Sequence, residues 1–117
     1  MAYPRGGEIY LVRLPGQPKD NKPSPALIVS LDVRNPLANG VIAFPISTTL
    51  RKSPTHVELT KGEGGLDQTS MVKCEQITTL NKIFLIRGPF SRTITPMKMT
   101  EVERAIQRAV GVVIWCF

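Results

Sequence analysis

The sequence contains few of the residues that usually carry metal-binding or redox chemistry. It has two cysteines, Cys74 and Cys116, and a single histidine, His56. Two distant cysteines do not make a disulfide framework, and with one histidine they give too few ligands for a structural zinc site. We therefore expect no metal and no cofactor. His56 has no Cys, Asp or Glu arranged around it as a triad, so a catalytic role for it is disfavoured.

Aromatic residues and long apolar runs are also scarce. Aromatic residues make up 6% of the chain, and no run of them resembles the stacking platforms of common RNA-binding modules. No apolar run approaches the roughly 20 residues that span a membrane, and the N-terminus has no apolar signal-peptide core. These absences argue against a membrane-spanning protein and predict a cytoplasmic one.

What the sequence does contain is typical of one basic globular domain over residues 1–117. Its 117 residues are 42% hydrophobic and 21% charged, which is enough for a single hydrophobic core. The net charge is +6, from 15 Lys and Arg against 9 Asp and Glu. Such an excess favours a polyanionic or acidic partner, although many basic proteins bind no nucleic acid.

The hydrophobic pattern predicts six short strands and one C-terminal helix. The central strand is the apolar run 41–46, which follows the turn pair Asn39-Gly40 and ends in hydroxyl residues. Pro45 predicts a bulge or a strand margin there. The other predicted strands span residues 8–14, 26–31, 56–59, 70–79 and 83–86. Without βαβ alternation, this order predicts a mainly β (α+β) fold, a small antiparallel barrel with a helix attached.

The helix and two unusual segments complete the predicted organisation. Thr100 and Glu103 fit a capping box, and apolar residues follow at helical spacing: Val102, Ile106, Ala109, Val110 and Val113. The proline-rich segment 15–25 predicts a long loop, a class that is usually functional or disordered. The apolar tail 112–117 is expected to pack on the core or on a second chain.

Taken alone, the polar residues near the predicted strand ends allow two interpretations each. Ser47, Thr48 and Thr49 either bind a phosphate or cap turns. Glu75 is either a general base beside Gln76, or both residues occupy solvated strand positions. The loop cations form either a phosphate-binding rim or scattered solvated charge; they are Lys19, Lys22, Arg51, Lys52, Lys61 and Lys73.

Several segments between residues 5 and 110 together carry a family resemblance. They are Gly7-Glu8-Ile9-Tyr10-Leu11-Val12, Pro25-Ala26-Leu27-Ile28-Val29-Ser30, Phe44-Pro45-Ile46-Ser47, Pro54-Thr55-His56-Val57-Glu58-Leu59, Gly65-Leu66-Asp67, and Ser70 through Glu75-Gln76 with Thr79, Asn81 and Lys82. In order and spacing they resemble the MazF/PemK toxins, the mRNA interferases of type II toxin–antitoxin systems. The resemblance implies an SH3-like barrel with a C-terminal helix, a homodimer, an acidic antitoxin partner, and single-stranded RNA as a substrate cut without metal.

The implied reaction is attack of a 2′-hydroxyl on the neighbouring phosphate, which leaves a 2′,3′-cyclic phosphate and a 5′-hydroxyl. It needs a cation or donor for the developing charge and proton transfer at two oxygens. The resemblance and the residue types together predict catalytic roles for Ser47, Thr48 and Glu75, the last assisting proton transfer or reading a base. The predicted RNA-binding residues are Lys22, Ser24, Arg51, Ser70 and Gln76.

The sequence departs from the family pattern at the position that matters most. The family has an Arg before the Pro of the second strand, where this chain has Ser24-Pro25, and a second Arg where it has Thr78. A serine cannot supply the cationic fork of an arginine, and losing one such donor costs about 10²–10³ in rate. Lys22 or Arg51 is the expected substitute.

The sequence leaves three functions open. The first is an endoribonuclease toxin whose cation comes from elsewhere in the chain. The second is a degenerate family member that binds RNA or an antitoxin without cutting. The third is a toxin like CcdB, which poisons DNA gyrase through its C-terminal residues; here these are Trp115-Cys116-Phe117.

Overall fold

Seven strands and one α-helix make up the fold in the computed structural model, which describes residues 3–13, 23–30 and 32–111. The elements are β1 Ile9–Val12, β2 Ser24–Ile28, β3 Gly40–Ser47, β4 His56–Leu59, β5 Ser70–Lys73, β6 Thr78–Asn81, β7 Leu85–Arg87 and α1 Pro96–Ala109. Two 3-10 turns, Glu63–Gly65 and Lys82–Phe84, lie between them. The expected mainly β fold with a C-terminal helix is confirmed.

The strands pair antiparallel around β3. Their order is β4-β5-β3-β2-β1-β7, with β6 also paired to β3. One edge of β3 pairs with β2, and the opposite edge pairs with β6 as far as Ala43 and with β5 from Ile46 onward. Pro45 lies between these two ladders, where its missing N–H breaks no ladder hydrogen bond. β3 nevertheless continues through Pro45, which pairs with Ala26 of β2, so the predicted bulge or strand margin there is wrong.

One of the two clusters that form the core joins the sheet to α1. Val102 and Ala105, three residues apart on one face of the helix, are fully buried. They pack in one cluster with Ile9, Leu27 and Phe44 from β1, β2 and β3. The helix therefore packs against the first three strands through this buried face.

The predicted strand over residues 70–79 is wrong. The chain forms β5 and β6 there, separated by a turn in which the Gln76 N–H donates to the Lys73 carbonyl at 3.2 Å. The predicted strand over residues 83–86 is also displaced. Ile83 lies in a 3-10 turn, is 80% exposed, and donates its N–H to the Asn81 side chain, so β7 begins only at Leu85.

The helix begins earlier than the sequence pattern predicts. Thr95 is the N-cap, its Oγ1 accepting from the Lys98 N–H, and Pro96 takes the first helical position. Thr100 is not a cap, because its hydroxyl donates to the Pro96 carbonyl inside the helix. The capping-box interpretation of Thr100 and Glu103 is therefore wrong.

Some predictions fall on residues outside the described ranges. These include most of the proline-rich loop with Lys19 and Lys22, and the apolar tail 112–117. The end of that predicted loop is described, and there Ser24 and Pro25 already belong to β2. Among the described residues, no helix is long and apolar enough to cross a membrane.

Candidate functional site

Two adjoining cavities open beside the C-terminal ends of β3 and β5. The first, of about 370 Å³, is lined by Pro23, Ser24, Pro25, Pro45, Ile46, Ser47, Thr48, Lys73 and Gln76. The second, of about 320 Å³, is lined by Thr49, Arg51, His56, Lys73, Glu75 and Gln76. Because Lys73 and Gln76 line both, we treat the two cavities as one continuous groove. Six of the eight predicted site residues lie on it.

The hydroxyl end of the groove is built where β3 ends. Ser47 is the last residue of the strand and is half-buried, while Thr48 next to it is exposed. The Ser47 Oγ accepts the Thr49 N–H at 3.1 Å. This bond stabilises the bend and occupies an acceptor lone pair, so the Ser47 O–H keeps its hydrogen for donation. Turn capping and ligand binding are thus compatible at this residue.

Lys73 is the cation at the centre of the groove. In the antiparallel register between β3 and β5, Ile46 faces Val72 and Ser47 faces Met71. One further step places Lys73 opposite Pro45, half-buried and against both cavities. From the sequence, Lys73 was only one of six loop cations. The strand register would have identified it, but that register depends on which strands pair.

The acidic end of the groove is the Glu75 carboxylate. The Thr55 hydroxyl donates to its Oε1 at 3.0 Å, and the His56 Nε2 lies 3.1 Å from its Oε2. Partial burial acts to raise the pKa of Glu75. The hydrogen bonds from its own backbone N–H, from His56 and from Thr55 outweigh that effect, so the pKa lies below its ordinary value. Glu75 is therefore an ionised acceptor at neutral pH.

The absence of an acid near His56, inferred from the sequence, is corrected by the structure. The ring lies between Glu75 and the Arg51 carbonyl, whose oxygen is 2.7 Å from Nδ1. Its side chain is only 8% exposed. The pair forms because β4 and β5 are adjacent antiparallel strands, which bring together residues 19 positions apart.

Cys74, beside Glu75, takes no part in the groove. Burial raises the pKa of its thiol to about 12, helped by the Glu75 charge and opposed by Arg108. A thiol in this state is not a nucleophile near neutral pH. Among the described residues, no group of three or more His, Cys, Asp or Glu side chains is placed to hold a metal ion.

Two of the predicted site residues are not brought to the groove. Ser70 is 2% exposed and donates its hydroxyl to the Gln68 carbonyl. It pairs with Leu59 at the opposite end of the β4–β5 hairpin from the His56–Lys73 pair, about 10 Å along the strand. The structure therefore does not support an RNA contact by Ser70. Lys22 lies outside the described residues.

Comparisons with known proteins agree over nearly the whole chain. Residues 5–110 match the family described as PemK-like, MazF-like toxin of type II toxin–antitoxin system. The endoribonuclease MazF of Staphylococcus saprophyticus is 34% identical over 111 residues, 92% of this chain and 91% of that protein. A mycobacterial endoribonuclease solved in complex with its cognate antitoxin superposes with a TM-score of 0.79 at 31% identity, covering 95% of this chain and 98% of the other. The Mycobacterium tuberculosis toxin MazF-mt6 gives a TM-score of 0.78 at 26% identity, with 92% and 99% covered.

Proposed function

The chain belongs to the PemK/MazF family of toxins of type II toxin–antitoxin systems, and we propose that it is an endoribonuclease that cleaves single-stranded RNA in the groove. The observation that carries the proposal is the arrangement of the lining residues. Two hydroxyls, Ser47 and Thr48, share the first cavity with the Lys73 ammonium, and an ionised carboxylate, Glu75, lies in the adjoining second cavity. Hydroxyls and a cation can bind a phosphate, and the carboxylate can accept hydrogen bonds from the base or the ribose of a nucleotide.

The groove suits a reaction in which the RNA itself supplies the nucleophile. The 2′-oxygen forms a bond to phosphorus and its proton passes to water, while the bond from phosphorus to the 5′ oxygen breaks and that oxygen takes a proton from water, so the products carry a cyclic phosphate and a 5′-hydroxyl. Negative charge develops on the non-bridging oxygens of the phosphorane. Donors fixed before the reaction stabilise such charge most effectively. We assign that role to Ser47, Thr48 and Lys73, with Lys73 supplying the positive charge.

Glu75 is better suited to binding than to proton donation. Its lowered pKa disfavours the protonated form that a general acid needs. The two carboxylate oxygens accept hydrogen bonds from Thr55, from His56 and from the backbone N–H of Glu75, and they retain lone-pair capacity for a ligand. We therefore assign Glu75, with Gln76, to contacts with a base or a ribose, and Arg51 in the same cavity to attraction of the RNA backbone.

Ser24 favours a second candidate function. It lines the first cavity at the start of β2, where the family resemblance implies an arginine. With a serine there, the phosphate site has one cation fewer than the family pattern. A member that binds RNA or antitoxin without cutting is therefore the alternative. A gyrase poison is not favoured, and the tail on which that idea rests lies outside the described residues.

We also propose partners and a location for the protein. A related mycobacterial endoribonuclease is known in complex with its cognate antitoxin. We propose that an acidic antitoxin segment crosses this groove and competes with RNA, because both would use Arg51 and Lys73. We further propose a homodimer in the cytoplasm, where RNA and antitoxin are both present.

Incubation of the purified full-length protein with a long single-stranded RNA in EDTA tests the activity. We expect defined fragments that end in a cyclic phosphate, and we expect their loss in a Ser47→Ala/Thr48→Ala double variant. RNA that stays intact at high enzyme excess, with protein shown to be folded and dimeric, would instead support the non-cleaving alternative.

A further inference from the structure

The His56 ring makes two contacts whose chemistry determines its protonation. Its Nδ1 lies 2.7 Å from the Arg51 carbonyl oxygen, which can only accept, so Nδ1 must carry a hydrogen. Its Nε2 lies 3.1 Å from Glu75 Oε2, which is also an acceptor when the carboxylate is ionised. Both contacts are hydrogen bonds at once only in the doubly protonated ring.

We infer that His56 is a positioning residue of the groove, which holds the Glu75 carboxylate and the Arg51 backbone at a fixed separation through the two N–H groups of its imidazolium. This inference rests on the proposed RNA-cleaving function. Without a donor at Nε2, as in a variant that lacks the ring, Glu75 keeps Thr55 as its side-chain donor on Oε1 while Oε2 is no longer held by His56. The acidic wall of the second cavity is then less firmly positioned.

The surroundings of His56 support this role because they fix the rest of the 51–56 loop. The Arg108 guanidinium of α1 donates to the Pro54 carbonyl at 2.6 Å, and the Cys74 N–H donates to the Thr55 carbonyl at 2.9 Å. The charged side chains that share the second cavity with His56 are Arg51, Lys73 and Glu75, and only Glu75 is an acceptor. The ring and the Thr55 hydroxyl thus both link this loop to the Glu75 carboxylate, and the ring also contacts the Arg51 carbonyl.

Nuclear magnetic resonance of the ring nitrogens tests the geometry without RNA. His56 is the only histidine of the chain, so its signals need no separation from others. We expect the neutral ring to carry its hydrogen on Nδ1, and we expect Glu75→Gln to shift the Nε2 signal while Nδ1 stays unchanged. Glu58→Gln, on the same hairpin, should shift neither. A neutral ring with its hydrogen on Nε2 would overturn the inference.

Two substitutions at His56 then distinguish the contribution of the Nδ1 hydrogen bond to RNA cleavage from that of the Nε2 hydrogen bond. An Asn at position 56 places its amide near the former Nδ1, whereas a Gln reaches the former Nε2. We expect His56→Asn to raise KM roughly three- to ten-fold, the scale of one hydrogen bond, with little change in kcat. We expect His56→Gln to restore most of the affinity.

A double-mutant cycle with Glu75→Gln distinguishes a positioning role of His56 from a general effect on stability. If His56 acts through Glu75, His56→Asn adds nothing to a Glu75→Gln variant. An equal loss in both backgrounds, or a loss confined to kcat, would refute the role. If the wild-type protein cleaves no RNA, the same cycle is measured as RNA affinity. In that case the cleavage proposal fails on its own, and the ring-nitrogen signals still decide the inference about His56.

Discussion

Replacing Lys73 with methionine is the most direct perturbation of the proposed phosphate site. Methionine keeps most of the aliphatic stem and removes the charge. An ammonium about 4 Å from a unit negative charge contributes roughly 1–4 kcal/mol between the dielectric of water and that of a protein surface. Lys73 is half-buried and lines both cavities, so the middle of that range applies. The middle corresponds to a loss of about 10² in rate, which is also the scale of removing one transition-state donor.

The assay is single-turnover cleavage of an end-labelled RNA in EDTA at several salt concentrations. We expect Lys73→Met to reduce the cleavage rate about 100-fold. We also expect it to reduce the slope of log affinity for RNA against log salt concentration by about one. Lys61→Met is the matched control, because Lys61 is exposed in the turn that follows β4, at the end of the hairpin remote from the groove. If Lys73→Met cleaves RNA as fast as Lys61→Met, Lys73 does not serve the phosphate.

Three further predictions follow from the same structure. Ser24→Arg should raise the cleavage rate by about 10-fold or more, because it adds a cation to the first cavity; end-labelled RNA reports it. In a Cys116→Ser background, Cys74 should resist alkylation at pH 8 until the protein unfolds, since its thiol is buried with a pKa of about 12. Because the folded-state pKa of Glu75 is lowered from 4.5, its stabilising contribution is present at neutral pH and is lost as the pH falls through that lowered value. Unfolding by urea should therefore show the difference between wild type and Glu75→Gln shrinking in acid.

Each of these has a control and a contradicting result. Thr60→Arg adds the same charge at an exposed position beyond β4, and an equal gain from it would attribute the effect of Ser24→Arg to net charge. Rapid alkylation of the native protein would show that Cys74 is accessible. A constant stability difference across the acid range would mean that the hydrogen bonds to Glu75 do not depend on its charge.

The sequence predicted the parts of the fold that depend on local pattern. The apolar runs of β1 to β4 are bounded by turn residues, and β4 was predicted with its observed ends. The turn between β5 and β6 was missed because Cys74-Glu75-Gln76-Ile77 contains no Gly, Pro, Asn or Asp. That turn exists because β5 and β6 pair with different stretches of β3, a tertiary cause without a local signal.

The candidate site likewise contains some residues that the sequence predicts and others that it does not. Hydroxyls directly after an apolar strand are expected at the rim of a sheet, so Ser47 and Thr48 could be predicted from their position. The family resemblance pointed to Ser24, Glu75 and Gln76. The central place of Lys73 and the pairing of His56 with Glu75 depend on strand register, and the sequence alone did not specify which strands are neighbours.

The division of β3 between two partners has a consequence for how such a site can change over time. Along β3, the pairing with β6 ends at Ala43 and the pairing with β5 begins at Ile46. The sheet splits between these two points, and the first cavity opens there beside Pro45. The shape of that cavity thus follows from the course of the backbone, whereas its charge follows from a few side chains around it. A substitution such as serine for arginine at position 24 therefore alters the chemistry of the cavity while the cavity itself persists. Enzymes of this architecture can lose or exchange a catalytic group without first losing the place where it acts.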